Sequence, residues 1–186
     1  MKSRKITGLI GVAVFTTVLS TPILANAKTE HKQDDGDRGR NARVVKAELI
    51  GYQEVPSVSS SCEGDFRAKI SNDDSQIDFE LSYAGLEGEV QQAHIHFGQK
   101  GVNGGVSIFL CSNLGNGPAG TPLCPGLYSG TVTGTRVATD VVGGAAAQGL
   151  AAGEIEELVD AIHAGTAYIN VHSTAFPTGE CRGQVK

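Results

Sequence analysis

Two histidines stand two residues apart in the segment Val90-Gln91-Gln92-Ala93-His94-Ile95-His96-Phe97-Gly98, and a third, His172, follows Tyr168-Ile169-Asn170-Val171. Both stretches have strand character. Side chains alternate along a strand, so His94 and His96 project from one face while Ala93, Ile95 and Phe97 form the other. The same phase turns Ile169 and Val171 toward a core and Tyr168, Asn170 and His172 away from it. Near the C-terminus, Glu180, Arg182 and Gln184 alternate with Cys181, Gly183 and Val185. If the three segments are neighbours in one sheet, a single polar face gathers His94, His96 and His172, with Asn170, Glu180 and Arg182 in support. Two imidazoles at i and i+2 plus a third from an adjoining strand make a nitrogen donor set for copper or zinc, ions that neutral imidazole suits. The competing expectation is a hydrogen-bonded network that holds no ion, in which His–carboxylate and Arg–carboxylate pairs fix strand register.

Other chemistry has less behind it. The chain carries no GxSxG elbow, no HExxH and no kinase-type glycine loop, so no catalytic residue is assigned. Asp73-Asp74 falls in an expected turn and Glu156-Glu157 on the first turn of an expected helix, positions of solvated charge rather than of an acid–base pair. Gly101-Val102-Asn103-Gly104-Gly105 has no helix behind it to make a phosphate cradle. It reads as a turn between strands, with Asn103-Gly104 as the turn signal and nothing further required of it. His31 sits in a solvated charge run, and His163 ends a helix, where a cation suits the dipole.

The elements that must position the histidines are short β-branched or alternating segments separated by Gly, Asn, Asp and Pro: about 44–50, 66–70, 77–83, 90–97, 106–111, 128–135, 167–173 and 180–185. The alternation is plainest where Ile77, Phe79, Leu81 and Tyr83 interleave with Asp78, Glu80 and Ser82. Such punctuation predicts a mostly β domain, an antiparallel β-sandwich or barrel-like fold. One short amphipathic helix interrupts it at about 154–164, where Ile155, Leu158, Val159 and Ile162 repeat at helical spacing ahead of Gly165. A weaker helical turn is expected near Thr139-Asp140.

Lys2, Arg4 and Lys5 precede an apolar run that ends in Ala25-Asn26-Ala27, the pattern of a secretory signal peptide over residues 1–27. Its removal takes three of the 15 basic residues and none of the 20 acidic ones. An acidic chain without a basic stripe is a poor partner for nucleic acid, and no second apolar stretch is long enough to give the mature chain a transmembrane segment. Residues 28–42 are charged and nearly devoid of apolar side chains, the composition of a disordered tether, and the folded domain is expected over 43–186. All four cysteines lie in that domain, an even count that in an exported chain points to two disulfides. Three pairings are open, and the preferred set is Cys111–Cys124, which would staple the Gly-, Pro- and Asn-rich segment between them, with Cys62–Cys181. The expected compartment is therefore periplasmic or extracellular, with an extracellular protein or surface as the class of partner.

Four segments stand out together: Leu49-Ile50-Gly51-Tyr52-Gln53-Glu54-Val55-Pro56, the run AHIHFGQKGVNGG from Ala93, Ala161-Ile162-His163-Ala164-Gly165 leading into Tyr168-Ile169-Asn170-Val171-His172, and Pro177-Thr178-Gly179-Glu180-Cys181-Arg182-Gly183-Gln184. In that order and spacing they resemble the CHRD domain, named for repeats in chordin and widespread in exported microbial proteins. The resemblance implies a β-rich extracellular module with no general enzymatic activity to carry over. Positions matching its signature include Glu54, Pro56, His94, His96, Gly98, Asn103, Gly104, Tyr168, Asn170, His172, Gly179, Glu180, Arg182 and Gly183. Cys181 departs from it, standing where an aliphatic residue is more usual, and together with Cys62 it favours an additional disulfide. The HIHFG stretch is also similar to the metal-binding HxHxxG segment of Cu/Zn superoxide dismutase, although Gly98 comes one residue early and the full bridging-histidine and aspartate set is not found.

The leading expectation is thus an exported noncatalytic binding or structural module with a histidine-lined metal or ligand site. The alternatives are a copper-dependent, superoxide dismutase-like redox enzyme and a purely structural or adhesive surface domain. The strand phase is testable on its own: Ile95→Asp should abolish the cooperative unfolding transition seen by circular dichroism, whereas His94→Gln should retain it. Equal damage from both would place the histidines in the apolar core and overturn the phase.

Overall fold

The computed structural model describes residues 44–186; the expected signal peptide (1–27) and tether (28–42) lie outside the described residues. Eight strands form one sheet: β1 (Val44–Ile50), β2 (Glu63–Ile70), β3 (Gln76–Ala84), β4 (Val90–Phe97), β5 (Gly105–Ser112), β6 (Gly130–Val137), β7 (Ala167–Ser173) and β8 (Cys181–Gln184). Their order is β5-β4-β7-β8-β1-β2-β3-β6, every pairing is antiparallel, and the sheet curls into a nearly closed barrel. Of the two architectures the alternation predicts, the chain therefore adopts the barrel-like one. The one α-helix among the described residues, α1 (Ile155–His163), buries Ile155, Leu158, Val159 and Ile162. The weak helical signal near Thr139 corresponds to two 3₁₀ turns at Ala138–Asp140 and Gly143–Gln148, as expected of a glycine-rich run that cannot sustain an α-helix.

The interior is filled by the residues that the alternation points inward. Val45, Ala47 and Leu49 of β1, Phe66, Ala68 and Ile70 of β2, and Ile77, Phe79, Leu81 and Tyr83 of β3 form one half of the core. Ala93 and Ile95, Ile108 and Leu110, and Ile169 and Val171 form the other half. Burying such side chains is the main favourable term, at about 1.5–3 kcal/mol for each large aliphatic or aromatic one. Cys62 pairs with Cys181 and Cys111 with Cys124, and no described cysteine is free. Among the described residues no helix is long and apolar enough to cross a membrane.

The barrel closes between β5 and β6, and it does so largely through a side chain. Apart from an isolated bridge between Ile108 and Val141, the contact rests on Arg136 of β6. Its Nε donates to the Phe109 carbonyl and its Nη2 to the Leu110 carbonyl, both at 2.9 Å, while Nη1 turns back to Thr135. The guanidinium also lies over the Phe79 ring, 5.1 Å from its centroid. A buried charge is tolerated only when its donors are satisfied, and here carbonyls of the facing edge satisfy them. Arg136→Met keeps the aliphatic stem and removes the donors, leaving two carbonyls without their partner. The expected outcome is a loss of about 2–4 kcal/mol, read from the urea midpoint at constant slope; an unchanged midpoint would show that the seam does not depend on Arg136.

Candidate metal centre

The pairing of β4 with β7 sets the site. Ala93 faces Val171, His94 faces Asn170, Ile95 faces Ile169 and His96 faces Tyr168, so the inward pairs build core and the intervening pairs gather imidazoles. On the opposite side β4 meets β5 with two irregularities, at Ala93/His94 and Ile95/His96. There Leu110 and Ser107 of β5 are left without a direct partner, the signature of β-bulges, which re-aim the side chains beside them. Phe109, opposite His94, consequently meets that imidazole edge-on, with ring centroids 4.4 Å apart.

The ligating atoms offered by His94, His96 and His172 all lie within 4.8 Å of one another. His94 Nδ1 and His172 Nε2 are 3.1 Å apart. Two ligands held 2.0–2.1 Å from one ion at angles of 90–120° would be separated by about 2.9–3.6 Å, so this pair already stands at a coordination distance. His96 and His172 are oriented from behind. The Nδ1 of His96 hydrogen-bonds the Gly104 carbonyl and that of His172 the Pro177 carbonyl, each at 3.0 Å. A backbone carbonyl only accepts, so both Nδ1 atoms carry the proton and both Nε2 lone pairs are bare, the tautomer that metal-binding histidines use. The Nε2 atoms of His94 and His96 are buried and have no hydrogen-bond partner.

This face is the outer wall of the barrel, yet it is not open to solvent. Ile50, half-exposed on β1, is the register partner of Arg182, which places Arg182, Asn170 and the histidines on the outward side. The three histidines are nonetheless only 2, 8 and 7 % exposed. Loops roof the polar face. The turn after β4 supplies Gly104, the β7–β8 connection supplies Pro177, and the β1–β2 loop brings Glu54 to Asn170, whose Nδ2 donates to its carboxylate. Asn103 ties the roof together, donating to the Val55 carbonyl and accepting from Arg182. Arg182 donates further to the carbonyls of Gln99 and Val102 and lies flat on Tyr168, 3.5 Å from the ring centroid. The other face of Tyr168 stacks on His96 at 4.7 Å and 8°.

Of the supporting residues read from the sequence, Asn170 and Arg182 border the histidines. Glu180 does not join them: its Oε1 accepts from Ser60 Oγ at 2.6 Å and from the Glu87 backbone N–H at 2.7 Å. The histidine–carboxylate pair expected of a register network is thus replaced by a carboxylate committed to the β1–β2 loop. Sequence reasoning also gave Asn103-Gly104 no task beyond the turn, whereas Gly104 orients His96 and Asn103 binds two parts of the roof. A Cβ at Gly104 would collide with the Phe97 carbonyl, which is why the turn needs glycine there.

Burial sets the electrostatics. Desolvation, reinforced by the neighbouring imidazoles, lowers His94 to about 2. Desolvation lowers His96 to about 4, the Gly104 hydrogen bond opposing it and the His172 and Arg182 charges adding to it, and desolvation likewise lowers His172. All three are neutral and ligand-competent at physiological pH. Desolvation raises Glu54 to about 7, although the charge of Arg182 and the Asn170 hydrogen bond pull the other way.

A barrel with a buried three-imidazole pocket on its outer wall defines the class of architecture. The family model for the CHRD domain matches residues 45–185, and the chain belongs to that family. No curated protein and no solved structure matches.

These shifts set an acid response. The unfolded chain protonates each histidine below about pH 6.5 and the metal-free folded protein does not, so unfolding takes up protons and stability falls with pH, by up to ~1.4 kcal/mol per unit for each histidine. Glu54 acts oppositely, since between its ordinary value of 4.5 and its raised value of about 7 the folded state holds a proton that unfolding releases. Urea denaturation of metal-free protein from pH 6.5 to 4.5 should show stability falling as the pH is lowered, through a net proton uptake on unfolding that grows in Glu54→Gln. A flat profile would contradict the neutral, buried state of the histidines.

Proposed function

We propose that this CHRD protein is an exported, noncatalytic binding module that holds one copper or zinc ion on His94, His96 and His172. The observation that carries the reading is the convergence of three buried imidazoles, with His94 Nδ1 3.1 Å from His172 Nε2 and the Nε2 of His96 buried and partnerless beside them. Leaving a buried polar atom unpaired costs about 1–3 kcal/mol; Ser107 Oγ, Asn170 Oδ1, Glu180 Oε2 and Gln184 Oε1 are partnerless too, so it is the convergence of three imidazoles that singles this pocket out. A metal ion answers to the imidazole lone pairs, and the carbonyls of Gly104 and Pro177 fill the outer-sphere role that metal-binding histidines need. A redox enzyme would require a coordination position open to substrate. The roof over the site favours holding an ion over turning substrate around it, and the adhesive reading leaves that convergence unexplained. Export is supported by the signal-like N-terminal pattern and by two disulfides, which persist in oxidising compartments.

The test is elemental analysis of untagged protein expressed from the full chain, with the recovered N-terminus determined by intact mass. One copper or zinc per chain, lost in the His94→Ala/His96→Ala/His172→Ala variant, with a mass beginning at Lys28, is the expected result. Wild-type protein that neither carries nor takes up either metal would leave a structural or partner-binding module. A retained N-terminal segment would overturn export by cleavage.

A further inference from the structure

From the charge and coordination of the same pocket, we infer that its ion is monovalent copper rather than zinc or divalent copper. This rests on the metal-binding reading above and sharpens it. Of the described His, Cys, Asp and Glu side chains, the group able to hold an ion contains only His94, His96 and His172, three neutral imidazoles. The nearby carboxylates lie outside that group: Glu180 Oε1 accepts from Ser60 and the Glu87 backbone, and Glu54 Oε1 from Asn170. All described cysteines are tied in disulfides. Zinc sites complete a tetrahedron, commonly with a charged ligand or a water, and divalent copper prefers a tetragonal set with oxygen donors. The further buried lone pair opposite His94, the partnerless Oδ1 of Asn170, is a neutral amide oxygen and brings no compensating negative charge.

The surroundings press in the same direction. Burying an ion costs free energy that rises with the square of its charge, so a dication meets roughly four times the penalty of a monocation in the same cavity. No anionic ligand offsets that penalty, and a positive charge stands close by: Arg182 lies over the Tyr168 ring that also stacks on His96, and its charge acts on His96. The flanking walls are the edge-on Phe109 ring and Tyr168, an apolar, polarisable shell of the kind that lowers the local dielectric at a metal site. Monovalent copper has a filled d shell, is stable with three nitrogen donors and needs no bound water. In the ion-free pocket one proton bridges His94 Nδ1 and His172 Nε2. An ion entering there takes its place, and that proton moves to the partnerless Nε2 of His94. No electron is transferred in this step.

The experiment is a set of anaerobic competition titrations of untagged, metal-stripped protein expressed from the full chain: Cu(I) against bicinchoninate, and Zn(II) and Cu(II) against chromophoric chelators of known affinity. The expected result is one equivalent of Cu(I) bound at least 100-fold more tightly than either divalent ion, with that binding lost in the triple alanine variant. Should the triple variant fail to fold, His94→Gln serves instead and should weaken Cu(I) binding by at least 100-fold with its unfolding transition retained. A preference for Cu(I) smaller than 100-fold, or a preference for a divalent ion, overturns this inference while leaving the metal site standing. Wild-type protein that binds none of the three ions removes both.

Discussion

The antiparallel register between β4 and β7 is the constraint from which the rest of the site follows. Because side chains alternate with a period of two, the register that buries Ile95 against Ile169 and Ala93 against Val171 must also bring His94 beside Asn170 and His96 beside Tyr168. A slip of one residue would send isoleucines outward and imidazoles into the barrel. The apolar interior thereby fixes the histidines with the whole of the barrel's hydrophobic free energy, far more than the histidines could supply through their own contacts. The convergence of the imidazoles is in this sense set by the core rather than by the histidines' own contacts.

The roof has a different physical basis. The three connections that cover the histidines come from distant parts of the chain and are held by hydrogen bonds: Asn103 to Val55 and Arg182, Asn170 to Glu54, Ser60 to Glu180. The Cys62–Cys181 disulfide joins the β1–β2 loop to β8 at the same place. Glycines make the approach of these loops feasible. At Gly179, with φ of 130°, a Cβ would stand 2.6 Å from the Glu54 carboxylate and 2.7 Å from the Asn170 amide. Arg182 is the hub, since it joins the turn after β4 to the Tyr168 ring and, through that ring, to His96.

How much of this could be read in the residues depends on range. Alternation in Ile77–Tyr83 and at His94–His96 is a local signal, and local signals place all eight strands and the helix to within a few residues. The phase also separates Ile95 from its histidine neighbours. What alternation cannot report is what lies above a face. Exposed and loop-covered positions have the same period, so an open polar face and a buried one look alike until the loops are folded. Glu180 is the instructive case: it has the right phase for the histidine face, but it lies just before β8, where its carboxylate is free to turn toward Ser60 and Glu87. The tasks of Gly104 and Pro177 are carried by their backbone carbonyls, and a carbonyl leaves no mark in side-chain chemistry.

The Arg136 seam also bears on what the open edge of the sheet can do. A sheet that stops short of complete closure has two edge strands, and unpaired edge groups are templates onto which another chain can add a strand. Here the carbonyls of Phe109 and Leu110 on the β5 edge are occupied by a guanidinium, a planar charged group that cannot propagate a ladder. That stretch of the edge is thus sealed against recruitment into aggregates, without needing a ninth strand or a perfectly closed barrel.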